Sequence, residues 1–551
     1  MQQPAKLLRD IQKHSNGWLW ISLPAAVFIL LPIAVILVSL FGAPNENWSH
    51  IKQYMLRDYV LQSVWLVLGT GFFTVLIGAS LAWLIAAYDF PMKAFFRWAL
   101  MLPLAVPPYI AAYTYSNMLS YTGVVQKTLR SLGVSPNQAW FDIMSMKGAI
   151  FIFTMFLYPY VYMITRSFLE RQSGAYIENA RLLGRKPLAV FVRIALPLSR
   201  PAIAGGLTLV AFEALSDYGV VNYFGIRTFS TAIFTTWFGM YDIESATRLA
   251  AWFLVGVIGL MILERFLRGQ RRFSATTSKS NPLVPARLKG LSGWAAAAFC
   301  VLVLALSFLV PVAQLFVWAG WTYADVMLTA DFRRLTYNTV SVALLATAII
   351  MLLAVIVGNV SRIMNNRFGY AVAKMMTTGY SVPGAIIAIG VLALFIRLDE
   401  RLAPLYGWMG KGEAPLVLSM SLVMLVAAYV IRFTATGYNS VEAGFEKMGM
   451  KYTEASRMLG AGMTRTFFKV DLPLIKGSLL SGVVLTFVEI VKELPLALLL
   501  RPFNFDTLAT KAYQYGTDER IFSAAVPSLF IIGVGAISIV IFDHVGKRVV
   551  Q

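Results

Sequence analysis

Glu178-Asn179-Ala180-Arg181-Leu182-Leu183-Gly184 is followed, nine residues later, by Ile194-Ala195-Leu196-Pro197. Glu454-Ala455-Ser456-Arg457-Met458-Leu459-Gly460 is followed, at the same distance, by Val470-Asp471-Leu472-Pro473. Both stretches have the spacing E-x5-G-x9-[IV]-x-L-P and lie 276 residues apart. The same offset relates Val106-Pro107 to Val382-Pro383, Glu213 to Glu489 and Asp217 to Glu493. One offset sustained from residue 106 to residue 217 marks an internal duplication. The fold is therefore read as two copies of one unit.

The unit lies in a membrane. The chain of 551 residues is 58% hydrophobic and only 13% charged, whereas a soluble domain carries roughly 25% charged residues. Apolar windows recur at 18–41, 60–88, 97–119, 148–166, 201–224, 249–266, 294–320, 338–361, 375–396, 415–431, 477–500 and 521–543. Each approaches or exceeds the roughly 20 residues that cross a bilayer as a helix. Backbone polar groups in lipid need internal partners, and the windows lack the alternation of a barrel, so the spans are helices. The expectation is an all-α polytopic protein of twelve transmembrane helices in two parallel six-helix repeats: residues 1–267, a cytoplasmic linker at 268–293, and residues 294–551. The linker reading rests on its basic, Ser-, Thr- and Pro-rich composition. Window 18–41 is too long for a signal-peptide core and reads as a retained first helix.

The net charge of +20 does not indicate a nucleic-acid partner, because the basic residues sit between the apolar windows. One set of connecting segments, including both termini, holds 31 Lys and Arg; the other holds 15. Cytoplasmic segments carry the excess, which places both termini in the cytoplasm. Cys300, the single cysteine, lies in an apolar run and reads as a core residue; His14, His50 and His544 are too dispersed for a metal site. No residue is assigned to a resident metal.

The two opening stretches fall in the fourth and tenth connections, on the cytoplasmic side. Ala, Leu and Arg before each glycine favour a short helix, and glycine permits a sharp turn after it. A second short helix, from Pro187 to Ile194 or from Thr464 to Val470, would lie along the membrane surface. Such a helix–turn–helix projects below the bilayer and suits a groove in a partner. These stretches resemble the EAA loop of ABC importer permeases, E-A-A-x3-G-x9-I-x-L-P, with Asn179, Ser456 and Val470 as mild departures. The resemblance implies the type I ABC importer permease fold, in which Glu178, Ala180, Gly184, Ile194, Leu196 and Pro197, and Glu454, Ala455, Gly460, Val470, Leu472 and Pro473, couple the chain to two copies of an ATPase subunit. No G-x4-G-K-[ST] phosphate loop occurs in the chain, so ATP and Mg belong to those partners and the chain is expected to bind no cofactor and catalyse no covalent step. A periplasmic or surface-tethered binding protein would deliver substrate to a multi-pass protein of the bacterial inner membrane.

The helix after each loop carries charge: Glu213 and Asp217 in one, Glu489, Lys492 and Glu493 in the other. A charge at the centre of a span costs about 2.5–3.5 kcal/mol on insertion scales, so repeated charges point to an interior face. Spacing of i, i+4 puts each carboxylate pair on one side of its helix. Two readings stay open: a structural cluster neutralised by Lys492, and a translocation path that meets a cation. Leu215-Ser216-Asp217-Tyr218-Gly219 and Lys492-Glu493-Leu494-Pro495 resemble the fused ferric-iron permeases, whose relatives handle polyamines, aminoethylphosphonate, sulfate and thiamine. Carboxylate and phenol oxygens suit a hard cation and suit a polyamine as well. A twelve-helix secondary transporter would explain the repeat and leave the paired loops unexplained; a membrane scaffold would need no repeated intramembrane carboxylates.

Overall fold

The computed structural model describes residues 17–135, 137–171, 174–268, 283–364, 366–409, 416–419 and 421–550. The first half contains α1 (Gly17–Ser39), α2 (Leu56–Ala87), α3 (Pro108–Leu119), α4 (Met146–Arg171), α5 (Ala175–Leu182), α6 (Arg200–Ser216), α7 (Gly219–Tyr223) and α8 (Ile243–Arg268). The second contains α9 (Leu291–Leu304), α10 (Val310–Met327), α11 (Ala330–Met364), α12 (Gly384–Trp408), α13 (Leu422–Met448), α14 (Lys451–Met458), α15 (Leu472–Val491), α16 (Pro495–Leu500) and α17 (Ile521–Val550). Among the described residues nine helices are long and apolar enough to span, and twelve when three bent pairs each count as one span.

The bends qualify the continuous windows expected at 97–119 and 375–396. The chain turns by 90° between Ala105 and Pro108 and by 109° between Ser381 and Gly384. Val106 and Val382 are extended, with ψ of 109° and 125°. Each precedes a proline, whose ring disfavours the helical conformation for the residue before it. The shared Val-Pro thus becomes a matched break, with α3 and α12 starting deep in the protein. Windows 201–224 and 477–500 also stop short: α6 ends at Ser216 and α15 at Val491, each followed by a short helix.

The halves interlock. α1 packs on α12, where Gly390 leaves room for Ile36 and the Pro32 carbonyl. Arg248 of α8 closes the far end of α1, with Nη2 donating to the carbonyls of Gly42 at 2.6 Å and Ala43 at 3.0 Å. A cation suits carbonyls left open beyond a helix C-terminus. Reciprocally, Cys300 of α9 is buried with Leu81 and Tyr158 of the first half, and the Tyr115 hydroxyl donates to the Leu306 carbonyl.

Of the expected linker, 269–282 lies outside the described residues. Its far end is tied to the first half. β1 (Tyr88–Asp89) pairs in parallel with β2 (Ala286–Arg287), Leu283 is buried, and Arg181 Nη1 donates to the Val284 carbonyl at 3.2 Å.

Candidate functional site: a charged cavity and two helix–turn–helix elements

Glu213 and Asp217 from the first half, and Glu489, Lys492 and Glu493 from the second, line one cavity of about 80 Å³ between the halves. The Val106-Pro107 break, Tyr109, Tyr160 and Tyr380 complete its wall. The sequence repeat is visible in the bonding. Asp217 Oδ1 accepts from the Val220 N–H at 2.7 Å, and Glu493 Oε1 from the Leu496 N–H at 3.3 Å. Each carboxylate therefore holds the start of the short helix that follows its break, the usual service of a capping oxygen. Lys492 Nζ lies 2.8 Å from Glu489 Oε1. The Glu213 side chain has no hydrogen-bond or ion-pair partner among the described residues, its main-chain carbonyl accepting from the Asp217 N–H. No three Asp, Glu, His or Cys side chains converge on a metal-holding position among the described residues.

Arg432 is the cavity residue that sequence reading misplaced. The apolar window 415–431 stops one residue before it and so leaves it among the 31 basic residues of the cytoplasmic segments; α13 runs on to Met448, and the tally becomes 30. Arg432 is only 9% exposed. Its Nη2 donates to the Ser216 hydroxyl at 3.0 Å and its Nη1 to the Val382 carbonyl at 3.3 Å. Its Nε is 3.6 Å from Glu493 Oε2, an ion-pair distance beyond hydrogen-bond reach. The available signal was a cation abutting an apolar run that continues as Phe433-Thr434-Ala435. Four carboxylates thus face two cations.

The two motif stretches fold alike. α5 and α14 carry Glu178 with Ala180 and Glu454 with Ala455. Gly184 and Gly460 follow in left-handed conformation, at φ +71° and +83°. A short helix then passes through a π-helical turn, Phe191–Ala195 in one half and Phe467–Asp471 in the other. These turns hold Ile194 and Val470; Leu196 with Pro197 and Leu472 with Pro473 open the next helical turn. Ahead of each glycine, two apolar side chains stand out: Leu182 and Leu183 are 85% and 81% exposed, Met458 and Leu459 90% and 88%. Glu454 is exposed, whereas Glu178 Oε1 lies 3.4 Å from the Val284 amide.

A family model described as the binding-protein-dependent transport system inner membrane component matches residues 75–268 and again 351–551. The chain belongs to this family. It is a multi-pass inner-membrane permease of an ABC importer, carrying two permease units. An Fe(3+)-transport system permease protein of Haemophilus influenzae is 22% identical over 476 residues, covering 86% of each chain. The Escherichia coli sulfate transport system permease protein is 24% identical over 201 residues, 36% of this permease and 69% of the relative. The Escherichia coli spermidine/putrescine transport system permease protein is 25% identical over 221 residues, 38% of this permease and 78% of the relative. Among solved structures, a chain of a bacterial alginate ABC transporter, crystallised with its periplasmic protein, aligns with a TM-score of 0.37 at 17% identity, over 47% of this permease and 95% of that chain.

Proposed function

We propose that this permease carries ferric iron inward, that two separate ATPase subunits seat on α5 and α14, and that an extracytoplasmic binding protein supplies the cargo. The observation that carries the coupling half of this reading is the pair of exposed apolar tips, Leu182-Leu183 and Met458-Leu459, at equivalent places in the two repeats. Apolar side chains at a projecting turn favour a partner's groove over water. Both termini would share the cytoplasm with these tips. ATP and Mg would serve those subunits, the permease itself making no covalent bond.

For the cargo, the support is a relative matched along 86% of both chains, together with a cavity where carboxylate and phenol oxygens outnumber cations. Hard cations prefer such oxygens. A wall in which carboxyl groups outnumber cations offers a sulfate ion little compensating charge, so sulfate is the weaker cargo. With no clustered metal-holding group among the described residues, iron would pass by brief encounters, Glu213 offering an uncommitted carboxylate.

The test is uptake of radio-iron by proteoliposomes holding the permease, its ATPase and its binding protein. Iron should accumulate only with ATP, undiminished by excess spermidine or sulfate, and Glu213→Gln should slow it. Competition by spermidine would reassign the cargo to polyamines. Changing Leu182, Leu183, Met458 and Leu459 to Ser should release the ATPase subunits without lowering permease yield, since these side chains are exposed; retained ATPase would remove the coupling reading.

A further inference from the structure

The two coupling elements share a backbone and differ in what holds them. In the second half, Arg362 at the end of α11 donates from Nη2 to Asp471 Oδ2 at 2.7 Å, and Thr453 of α14 donates to Asp471 Oδ1 at 2.7 Å. The Arg362 guanidinium lies over the Phe445 ring at 4.3 Å. Beside them the hydroxyls of Ser456 and Thr466 meet at 3.0 Å. At the offset of 276, the first half has Ala86 for Arg362, Ile177 for Thr453, Ala180 for Ser456, Val190 for Thr466 and Ala195 for Asp471. All five are buried in one apolar cluster. Arg362, Asp471 and Thr453 thus form a polar network inside the second half's joint, where the first half packs hydrocarbon and ties α5 at the rim instead, Arg181 donating from Nη2 to the Ala87 carbonyl at 3.0 Å and from Nη1 to the Val284 carbonyl at 3.2 Å.

The helix above differs in the same sense. In the first half the chain bends by 72° between Leu198 and Arg200, whereas Met463–Val491 runs as one helix. Pro201 explains the bend, since it has no N–H to bond back to the Pro197 carbonyl; Gly477 stands at the matching place and keeps that donor. α15 begins at the Asp471 carboxylate and, at about 1.5 Å per residue over its 20 residues, reaches the charged cavity at Glu489.

We infer that Arg362, Thr453 and Asp471 are positioning residues, locking α14 to α11 and to the foot of α15, and that the second half is the stiff arm that transmits cytoplasmic motion to the cavity. The first half, tied through Arg181 to main-chain carbonyls rather than to a buried carboxylate and bent at Ser199, is the more compliant arm. A hydrocarbon contact edged by bonds to neutral carbonyls yields more readily than charge-assisted bonds to a carboxylate 1% exposed, which hold one orientation. The inference rests on α5 and α14 being the ATPase seats.

The decisive variant installs the first half's residues in the second: Arg362→Ala, Thr453→Ile and Asp471→Ala together. No buried charge is left unpaired in this variant, and the first half already folds with these residues. In proteoliposomes with ATPase and binding protein, yield and ATPase co-purification should match wild type, while iron taken up per ATP hydrolysed falls by about tenfold or more, as expected for a misplaced lever. Asp471→Asn, which keeps an acceptor for Thr453, should retain more coupling than the triple. Thr453→Val, nearly isosteric, should lower the ratio on its own if the triple variant does not accumulate. A wild-type uptake-to-ATP ratio in the triple variant, or in Thr453→Val if that is the one that accumulates, overturns the inference. Absence of ATPase from purified wild-type permease would instead overturn the seating of α5 and α14, and this inference with it.

Discussion

Arg432, in the second half, donates from Nη2 to the Ser216 hydroxyl, in the first half, at 3.0 Å. The same hydroxyl accepts from the Gly384 N–H at 2.9 Å. Ser216 ends α6 and Gly384 starts α12, so one oxygen joins the charged helix of one repeat to the broken helix of the other. A Cβ at Gly384 would stand 2.9 Å from Arg432 Nη1 and 3.3 Å from Glu493 Oε1, so a larger residue would push the guanidinium from its place. The seam between the halves is therefore closed by directional bonds at the cavity wall, and separating the halves must break them.

Arg432 and Glu493 are both buried, so removing either partner alone leaves a stranded charge. Arg432→Met should destabilise the purified permease by about 3–5 kcal/mol, the range for breaking a buried pair from one side. Arg432→Met with Glu493→Gln should recover much of that loss, because glutamine needs no counter-charge and keeps an oxygen for the Leu496 amide. Thermal unfolding of the two single variants and the double, read as a double-mutant cycle, measures the coupling. Additive losses would show that the two side chains do not interact.

Asp217 and Glu493 do two jobs that substitution can separate. Each caps a short helix through one oxygen, and each faces the cavity. Asp217→Asn with Glu493→Gln keeps the acceptors and removes charge; the stranded Arg432 lowers complex yield, and iron uptake per assembled complex should fall further while ATPase association holds. Asp217→Ala with Glu493→Ala also removes the caps and should cost about 1 kcal/mol more per site in stability. Normal uptake by the Asn/Gln variant would assign both carboxylates to structure alone.

The sequence was legible where physics acts locally. Apolar length marked the spans, and the glycine spacing placed both left-handed turns at Gly184 and Gly460. The offset placed Glu213 opposite Glu489 and Asp217 opposite Glu493, and all four reach one cavity. It was less legible where contacts are long-range. A hydropathy window stops at a cation, so Arg432 was assigned to the loop although it lies well inside α13. The breaks at Val106-Pro107 and Val382-Pro383 were visible as matched residues, but a 90° turn needs a packed neighbour to hold it, and hydropathy does not report neighbours. The crossing of α1 onto α12 left no local mark. It depends on Gly390 meeting Ile36, two residues 354 positions apart.

Asp242 ties the segment after α1 to the start of α8 at the end of the helices opposite α5 and α14. Its Oδ2 accepts from Asn45 at 2.8 Å and from Asn47 at 3.0 Å, and its Oδ1 from the Ser245 amide at 3.0 Å. Partial burial pushes the carboxyl up, but the Ser245 amide and hydroxyl together with Asn47 and Asn45 outweigh it, and the net shift is downward. A depressed carboxyl stabilises the fold above its unfolded value and loses that contribution as pH falls through the folded one. Wild type should therefore be more heat-resistant than Asp242→Ala at neutral pH, and the gap should close below about pH 4, near the unfolded aspartate value. Unfolding midpoints measured from neutral to acid pH check this. A gap that does not change with pH would remove the carboxylate's charge from the account.

Gly184 and Gly460 sit at φ +71° and +83°, and a Cβ built on either meets nothing within 4 Å. Space is therefore not what requires glycine; backbone conformation is. Aspartate tolerates the left-handed region, so a Gly→Asp change tests charge more than geometry. Valine does not tolerate it, and its branched side chain makes left-handed backbone a genuine outlier. Gly184→Val with Gly460→Val should cost about 1–2 kcal/mol at each turn if the turn is kept, and the turn relaxes more cheaply by swinging α5 and α14 out of place. The apolar tips Leu182-Leu183 and Met458-Leu459 immediately precede these glycines, so they move with the turn. Membrane insertion should be normal, since no spanning helix is altered, while ATPase co-purification weakens and uptake is lost. Gly184→Asn with Gly460→Asn should preserve both, because asparagine adopts the same backbone at little cost. Equal activity of the valine and asparagine variants would show that the left-handed turn does not set the position of the coupling helices.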